Sequence, residues 1–470
     1  MESPLSTALK HDLKEMLQMD IKEIQSRLEI ALKRTLDRLP LGRFNGATIQ
    51  RATIDLSGME PISWLNAQDM HSKLFWSRRD KPQKIAGCGA VHHLITDSVQ
   101  GLKTIRQHLS DSDRAVRYFG GMRFDASQRI ANEWQPYAKF RFFVPRFELM
   151  SADDRQTLSL NFSISPHDDL AGLFAELKRE IATIKPPKSP DEPVFDIVDL
   201  SEQPDQQGWN RMVENALGAI RQGELEKIVL AGKTLLTFAR PLNPFHLLGQ
   251  ILQKNGRTFH FSFQFEHGVN FLGMSPECLF QRSGDHIFTE AIASTRARGK
   301  TAAEDARFGQ QMVESDKDLR EHRWVKKMIL DRLAPFCEQI DRTANENVLK
   351  LSHVQHLVSE FQAHLHAGVQ NEQLVEALHP TPAVGGYPKK QAVERVAQLE
   401  PFDRGWYAAP VGWVSLDEAE FAVAIRSALV QREKLHLFAG SGIVEGSNPD
   451  KEWQENRNKA QNFLQLFGIT

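Results

Sequence analysis

Residues 258–265 read TFHFSFQF, with Phe259, Phe261, Phe263 and Phe265 spaced two apart. Successive side chains of an extended chain point to opposite sides, so this spacing predicts a β-strand with four phenyl rings on one face. Such a face needs a large apolar partner surface. The chain can supply one: 470 residues, of which 41% are hydrophobic and 9% aromatic, support a large core and argue against disorder. Length alone would suggest two or three domains.

Further elements are legible along the chain. Leu13, Leu17, Ile21, Ile24, Leu28 and Leu32 recur at three and four, predicting a packed amphipathic helix from Leu9 to Leu36, stopped by Pro40. Leu74–Trp76, Phe119–Phe124 and Lys139–Val144 read as strands. A polar, proline-rich stretch, KPPKSPDEP at 185–193, marks a surface connection. It divides a variable N-terminal part (1–200) from a second part (201–470), and the N-terminal strands are expected to need sheet partners from the second part. That part predicts a helix at Trp209–Arg221, a strand at Lys227–Ala231, one helix over Ala303–Leu333, and a hairpin of Phe421–Leu429 with Lys434–Phe438. A last helix, Asn448–Phe467, carries Asn448 as N-cap, Pro449 at N1 and Gly468 after its end. No repeating βαβ rhythm is present, so the expected class is α+β with large, mainly antiparallel sheets.

A net charge of −2 gives no basic field for nucleic acid or an anionic membrane. Cys88, Cys278 and Cys337 form no CxxC pair, so neither a disulfide framework nor a zinc site is expected, and a reducing cytosol fits. The polar, acidic N-terminus does not read as a signal peptide, and nothing approaches the ~20 apolar residues of a membrane span. These features lead us to expect a cytoplasmic enzyme.

On the last helix, Glu452, Glu455 and Lys459 fall within an arc of about 60°. Two carboxylates one turn apart can hold a divalent cation, and the lysine can meet an anionic group; the alternative is a solvated face with an ordinary Glu–Lys pair. In the predicted strand Phe421–Leu429, alternation groups Arg426 with Ala422, Ala424 and Ala428. That leaves room either to grip a carboxylate or to pair with a structural acid. Lys227, entering an apolar strand, is a general base if its surroundings lower its proton affinity, or a lysine whose ammonium reaches solvent at the strand end. Glu277, in GMSPEC, sits at a turn after the aromatic strand, and Glu321, in REHRW, is a metal ligand or a solvated helix charge. The run GSGIVEG at 440–446 has its third glycine one residue late, with Glu445 in its place, which argues against a dinucleotide fingerprint. Its glycines still allow an anion to approach the backbone.

Together KIVLAG (227–232), GMSPECLF (273–280), REHRW (320–324), VQHLVSEF (354–361), LHPTPAVGGYPK (378–389), EPFDRGWYAAPVGW (400–413), FAVAIRSALV (421–430) and LFAGSGIVEGSNPDKEW (437–453) resemble the chorismate-utilising enzymes. This family comprises anthranilate, aminodeoxychorismate, isochorismate and salicylate synthases. The match runs in order over essentially the whole C-terminal part, and FGGMRFD and FRFFVPRFE resemble the family's more variable half. The resemblance implies one large unit of two stacked sheets with outer helices. It implies magnesium on Glu321 and Glu455, with Glu452 holding the metal through water. Arg426, Lys459 and the Gly440 backbone would bind substrate carboxylates, with Ser294, Thr295, His356 and Ala383 also at the substrate.

Two positions select the branch. Lysine at 227, where amine-transferring members carry glutamine, and alanine at 383, where amine-transferring and salicylate-forming members tend to carry threonine, are similar to the isochorismate synthases. The LLES-type tryptophan-feedback motif is absent. The resemblance therefore implies water addition at C2 of chorismate with loss of the C4 hydroxyl, with Lys227 as base and Glu277 as acid. It also implies no amidotransferase subunit, and the long N-terminal part points to the menaquinone pathway. Salicylate formation is the nearest alternative, and a non-catalytic chorismate-binding module a more distant one. One departure stands out: Ser294 occupies a position where most relatives have glycine.

Overall fold

The computed structural model describes residues 20–40, 44, 46–193, 195–254, 257–342, 347–350 and 354–469. The aromatic strand, Phe259–Glu266, lies inside a sheet, pairing antiparallel with Lys73–Ser77 on one side and Val269–Ser275 on the other. Its four phenyl rings enter the main core, together with Phe280 and Phe421 of a second sheet. The intervening polar residues are buried too, and pair across strands: His260 Nδ1 with Ser77 Oγ at 3.0 Å, and Ser262 Oγ to Asn270 Oδ1 at 3.0 Å. Alternation here separates a ring face from a hydrogen-bonded face, both buried.

The fold is α+β, with two large antiparallel sheets. In the twelve-stranded sheet the strand order is 48–56, 155–164, 147–152, 83–88, 73–77, 259–266, 269–275, 427–431, 434–444, 227–238 and 386–387, with 197–203 also pairing to 227–238. The ten-stranded sheet runs 337–342, 354–365, 286–297, 278–283, 418–423, 410–414, 118–122, 140–144 and 92–96, with 347–350 also on 354–365. Each sheet joins strands from both sides of the 185–193 connection. The seams are Lys73–Ser77 against Phe259–Glu266, and Tyr118–Met122 against Pro410–Val414. The core between the sheets is one continuous cluster, and helices Ile21–Arg38 and Leu170–Ile181 bury their apolar faces in a second cluster with strands of the twelve-stranded sheet.

The helix expected from Leu9 is present as Ile21–Arg38, capped by the Asp20 side chain on the Lys22 amide. Residues 9–19 lie outside the described residues. Ala303–Leu333 is not one helix but two, Ala302–Glu314 and Asp316–Leu333, because Ser315 is extended and caps the second through the Asp318 amide. The strand expected at Phe421–Leu429 is also interrupted. Glu418–Val423 belongs to the ten-stranded sheet and Ser427–Gln431 to the twelve-stranded one, so the shared face inferred for Arg426 and the alanines does not exist. The glycine run at 440–446 lies mostly within a strand: Gly440 and Gly442 belong to Lys434–Val444, opposite Ala231 and Val229, and Glu445 and Gly446 turn out of it. The last helix is α-helical over Pro449–Leu464 and tightens to a 3-10 turn at Gln465–Phe467 before Gly468, whose φ is +74°. Among the described residues, no helix is long and apolar enough to cross a membrane.

Candidate active site

The chain passes from one sheet to the other twice at the same place. Pro276 and Glu277 link Val269–Ser275 to Cys278–Ser283, while Ala424–Arg426 link Glu418–Val423 to Ser427–Gln431. The crossings brace each other: the Val423 amide donates to the Glu277 carbonyl at 3.1 Å, the Met274 amide to the Arg426 carbonyl at 3.1 Å, and Ser275 Oγ to the Val423 carbonyl at 2.6 Å. Glu277 and Arg426 are thus set at the break between the sheets, beside a cavity of about 220 Å³.

This cavity gathers most of the residues singled out in the sequence. Lys227 enters from the first position of Lys227–Phe238 and is 7% exposed; Glu277 is 4% exposed. Ser294, His356, Ala383, Arg426 and Gly440 line the same space, with Glu452, Glu455 and Lys459 of the last helix. Thr295 and Glu321 lie on the strand His286–Ala297 and the helix Asp316–Leu333; their side chains are outside the described residues.

Burial pushes the Glu277 carboxyl up to about 8, reinforced by the Glu290 carboxylate; a hydrogen bond from Thr381 Oγ1 at 3.2 Å and the Lys227 charge oppose this. At neutral pH Glu277 is therefore protonated. Arg426 is in the left-handed region at φ +51° and donates from Nη2 to His356 Nε2 at 2.9 Å. His356 Nδ1 in turn donates to the Ser294 carbonyl at 3.2 Å. Burial, then the Arg426 charge, pulls the imidazole down to about 3, so it is neutral with its proton on Nδ1. Burial also lowers Arg426, to about 10, and the guanidinium stays charged at neutral pH.

Ser294 has φ +57° at a bulge between Ala293 and Thr295, a conformation that glycine adopts without the cost a Cβ brings. Its hydroxyl donates to the Asp318 carbonyl at 3.1 Å, tying the bulge to the first turn of the helix that carries Glu321. Lys459 Nζ is shared between the Gly440 carbonyl at 2.9 Å and Glu455 at 2.7 Å. The Glu455–Lys459 pair expected of this helix is formed, and both side chains line the cavity. A Cβ on Gly440 would come within 3.1 Å of the Tyr407 hydroxyl and 3.3 Å of a Val229 methyl, so glycine keeps this wall open.

Sequence reasoning missed Asp318 and Tyr407, both cavity-lining, and Thr381. Thr381 and Tyr407 stand inside the LHPTPAVGG and DRGWYAAP segments, and Asp318 lies three residues before Glu321. Position within a motif could have flagged Thr381 and Tyr407; Asp318 stands just outside one, and its chemistry alone does not single it out.

The carboxylates suit a hard divalent cation. Glu452 and Glu455 present carboxylate oxygens one turn apart at the cavity, Glu452 also meeting the Ser447 hydroxyl (3.0 Å) and Glu455 meeting Lys459. Among the described residues, a tighter potential ligand group, Asp285, His286 and His364, is exposed and does not line this cavity.

Two stacked antiparallel sheets, with an acid and a lysine facing arginine and carboxylates across their break, define a class, and residues 40–468 match the family model of chorismate binding enzymes. The protein is an enzyme and belongs to that family. It is 30% identical to the isochorismate synthase of Bacillus subtilis over 448 residues, covering 90% of this chain and 94% of that one. It is 33% identical to the Escherichia coli isochorismate synthase over 411 residues, covering 87% and 90%. The solved structure of the menaquinone-specific isochorismate synthase from Escherichia coli superposes with a TM-score of 0.82 at 30% identity, over 94% of this chain and all of that one.

Proposed function

We propose that this enzyme is an isochorismate synthase, adding water at C2 of chorismate and expelling the C4 hydroxyl as the ring double bonds shift. The observation that carries this reading is the pairing of Lys227 with a protonated Glu277 in one cavity. Lys227, in its neutral form, takes a proton from the attacking water, and Glu277 gives its proton to the departing C4 oxygen. Water enters and water leaves, so the sum is an isomerisation. Arg426 and Lys459 supply fixed positive charge for the two carboxylates of chorismate, and the neutral His356 orients the guanidinium. Holding the ring between these groups brings the reacting carbons to the acid and base.

Glu452 and Glu455, with Glu321 on the neighbouring helix, would hold a magnesium ion. When bound it would screen the substrate's negative charge and hold its carboxylate. The full-length match to isochorismate synthases supports the water-adding branch, as does lysine at 227. The likeness to a menaquinone-specific enzyme supports the same pathway for this chain.

Purified protein given chorismate and magnesium should yield isochorismate, resolved by chromatography. Lys227→Gln and Glu277→Gln should each lower kcat at least about 100-fold. Wild-type turnover by both variants would defeat the assignment. Salicylate fluorescence without added lyase would instead indicate the pyruvate-eliminating branch.

A further inference from the structure

The peptide groups on either side of Glu277 are both held from outside the crossing. Arg79 Nη1 donates to the Pro276 carbonyl at 2.6 Å, and Glu290 Oε1 accepts from the Cys278 amide at 2.8 Å. The two side chains also join each other, Nη1 to Oε1 at 2.6 Å and Nη2 to Oε2 at 2.8 Å. The guanidinium, the carboxylate and the backbone of Pro276–Cys278 therefore close a ring around the residue between them. Both side chains are buried, 5% and 0% exposed. Arg79 reaches in from the turn between Lys73–Ser77 and Gln83–Cys88 of the twelve-stranded sheet. Glu290 stands on His286–Ala297 of the ten-stranded sheet, the strand whose later residues Ile292, Ala293 and Ser294 line the cavity.

A buried ion pair contributes little net stability, because desolvating two charges offsets most of their attraction. This one grips both flanks of a single cavity residue. We propose that Arg79 and Glu290 are positioning residues for the catalytic acid, clamping the Glu277 backbone at the sheet crossing and acting on its proton through the Glu290 charge. The proposal rests on the reading of Glu277 as general acid. After burial, Glu290 is the main influence raising the proton affinity of Glu277. Burial raises the Glu290 carboxyl overall, and the bidentate guanidinium of Arg79 opposes that rise by favouring the ionised form. The other charged or titratable groups lining the cavity with Glu277 are Lys227, Asp318, His356, Tyr407, Arg426, Glu452, Glu455 and Lys459, and Cys278 is next in the chain. His356 is neutral, and burial pushes the Cys278 thiol up, so neither changes charge near neutral pH.

The test is the pH dependence of kcat in the full chain with magnesium, for wild type, Glu290→Gln and the double variant Arg79→Met/Glu290→Gln. Glu290→Gln keeps an acceptor for the Cys278 amide but removes the negative charge and leaves Arg79 uncompensated. The falling limb should move to lower pH by about one unit or more, a tenfold drop in proton affinity, with KM for chorismate changed less than about threefold. The double variant removes both charges and should bring the limb part of the way back. A falling limb at the wild-type pH in Glu290→Gln overturns the clamp. Should Glu290→Gln fail to fold by circular dichroism, Arg79→Lys replaces it: a lysine cannot reach the Pro276 carbonyl and both carboxylate oxygens, so kcat should fall about tenfold with KM little changed, and wild-type kcat overturns the proposal. Glu277→Gln separates the two ideas. If it stays active, the acid assignment itself fails; if it is inactive while Glu290→Gln keeps the wild-type limb, only the clamp fails.

Discussion

In the proposed reaction Glu277 has to enter each turnover protonated, and its environment, which pushes the carboxyl up to about 8, favours that state. The sign follows directly: as pH rises through about 8 the acid loses its proton, so kcat should fall along a limb centred near that pH, read from initial rates across the range. Stability moves the same way. A folded-state value above the ordinary carboxylate value favours the protonated fold, so this contribution is complete below about 4.5 and is lost as pH rises through about 8. At Arg426, substitution by lysine keeps a charge but loses the planar fork and the 2.9 Å contact to His356. Arg426→Lys should raise KM for chorismate about tenfold, a cost of roughly 1.4 kcal/mol. Much of this was legible in the sequence, because Lys227, Glu277 and Arg426 stand in segments whose order and wording are specific. What was not legible is backbone torsion. Nothing in AIAST tells a reader that Ser294 is left-handed, or that the His356 ring takes up its carbonyl.

The last helix was read almost as it is, since its cap, its first-turn proline and its terminal glycine are local signals. Asn448 accepts from the Lys451 amide at 3.0 Å and thereby fixes the first turns, which carry Glu452 and Glu455. Asn448→Ala should cost about 1 kcal/mol in thermal unfolding and weaken the response of activity to magnesium. An unchanged magnesium titration would separate the cap from the metal site. Two elements were misread for a common reason. Period-two alternation continues through Ala422–Leu429 with no glycine or proline to mark a break, yet the chain leaves one sheet for the other at Ala424–Arg426. Likewise the helical pattern over Ala303–Leu333 runs through Ser315, where a side-chain cap starts a new helix. The first break is decided by tertiary partners, which a single sequence does not display; the second is a local cap that the continuing helical spacing hides.

Across the whole molecule, strands on both sides of the 185–193 connection share both sheets, and we propose that the chain folds as one integrated unit. A fragment of residues 201–470 would expose Phe259–Glu266 and Pro410–Val414 as long apolar edges. It should be insoluble or lack cooperative unfolding when expressed alone, and a soluble, sharply melting fragment would refute the single unit. The fold brings Glu277, at a sheet crossing, and Lys227, at a strand start, to one cavity. The central claim is that this pairing adds water to chorismate. The most direct measurement is product analysis of the full-length protein with chorismate, magnesium and ammonium together. Isochorismate as the sole new product, with ammonium ignored, is the result expected; an aminated product, salicylate or no conversion of chorismate at all would contradict it.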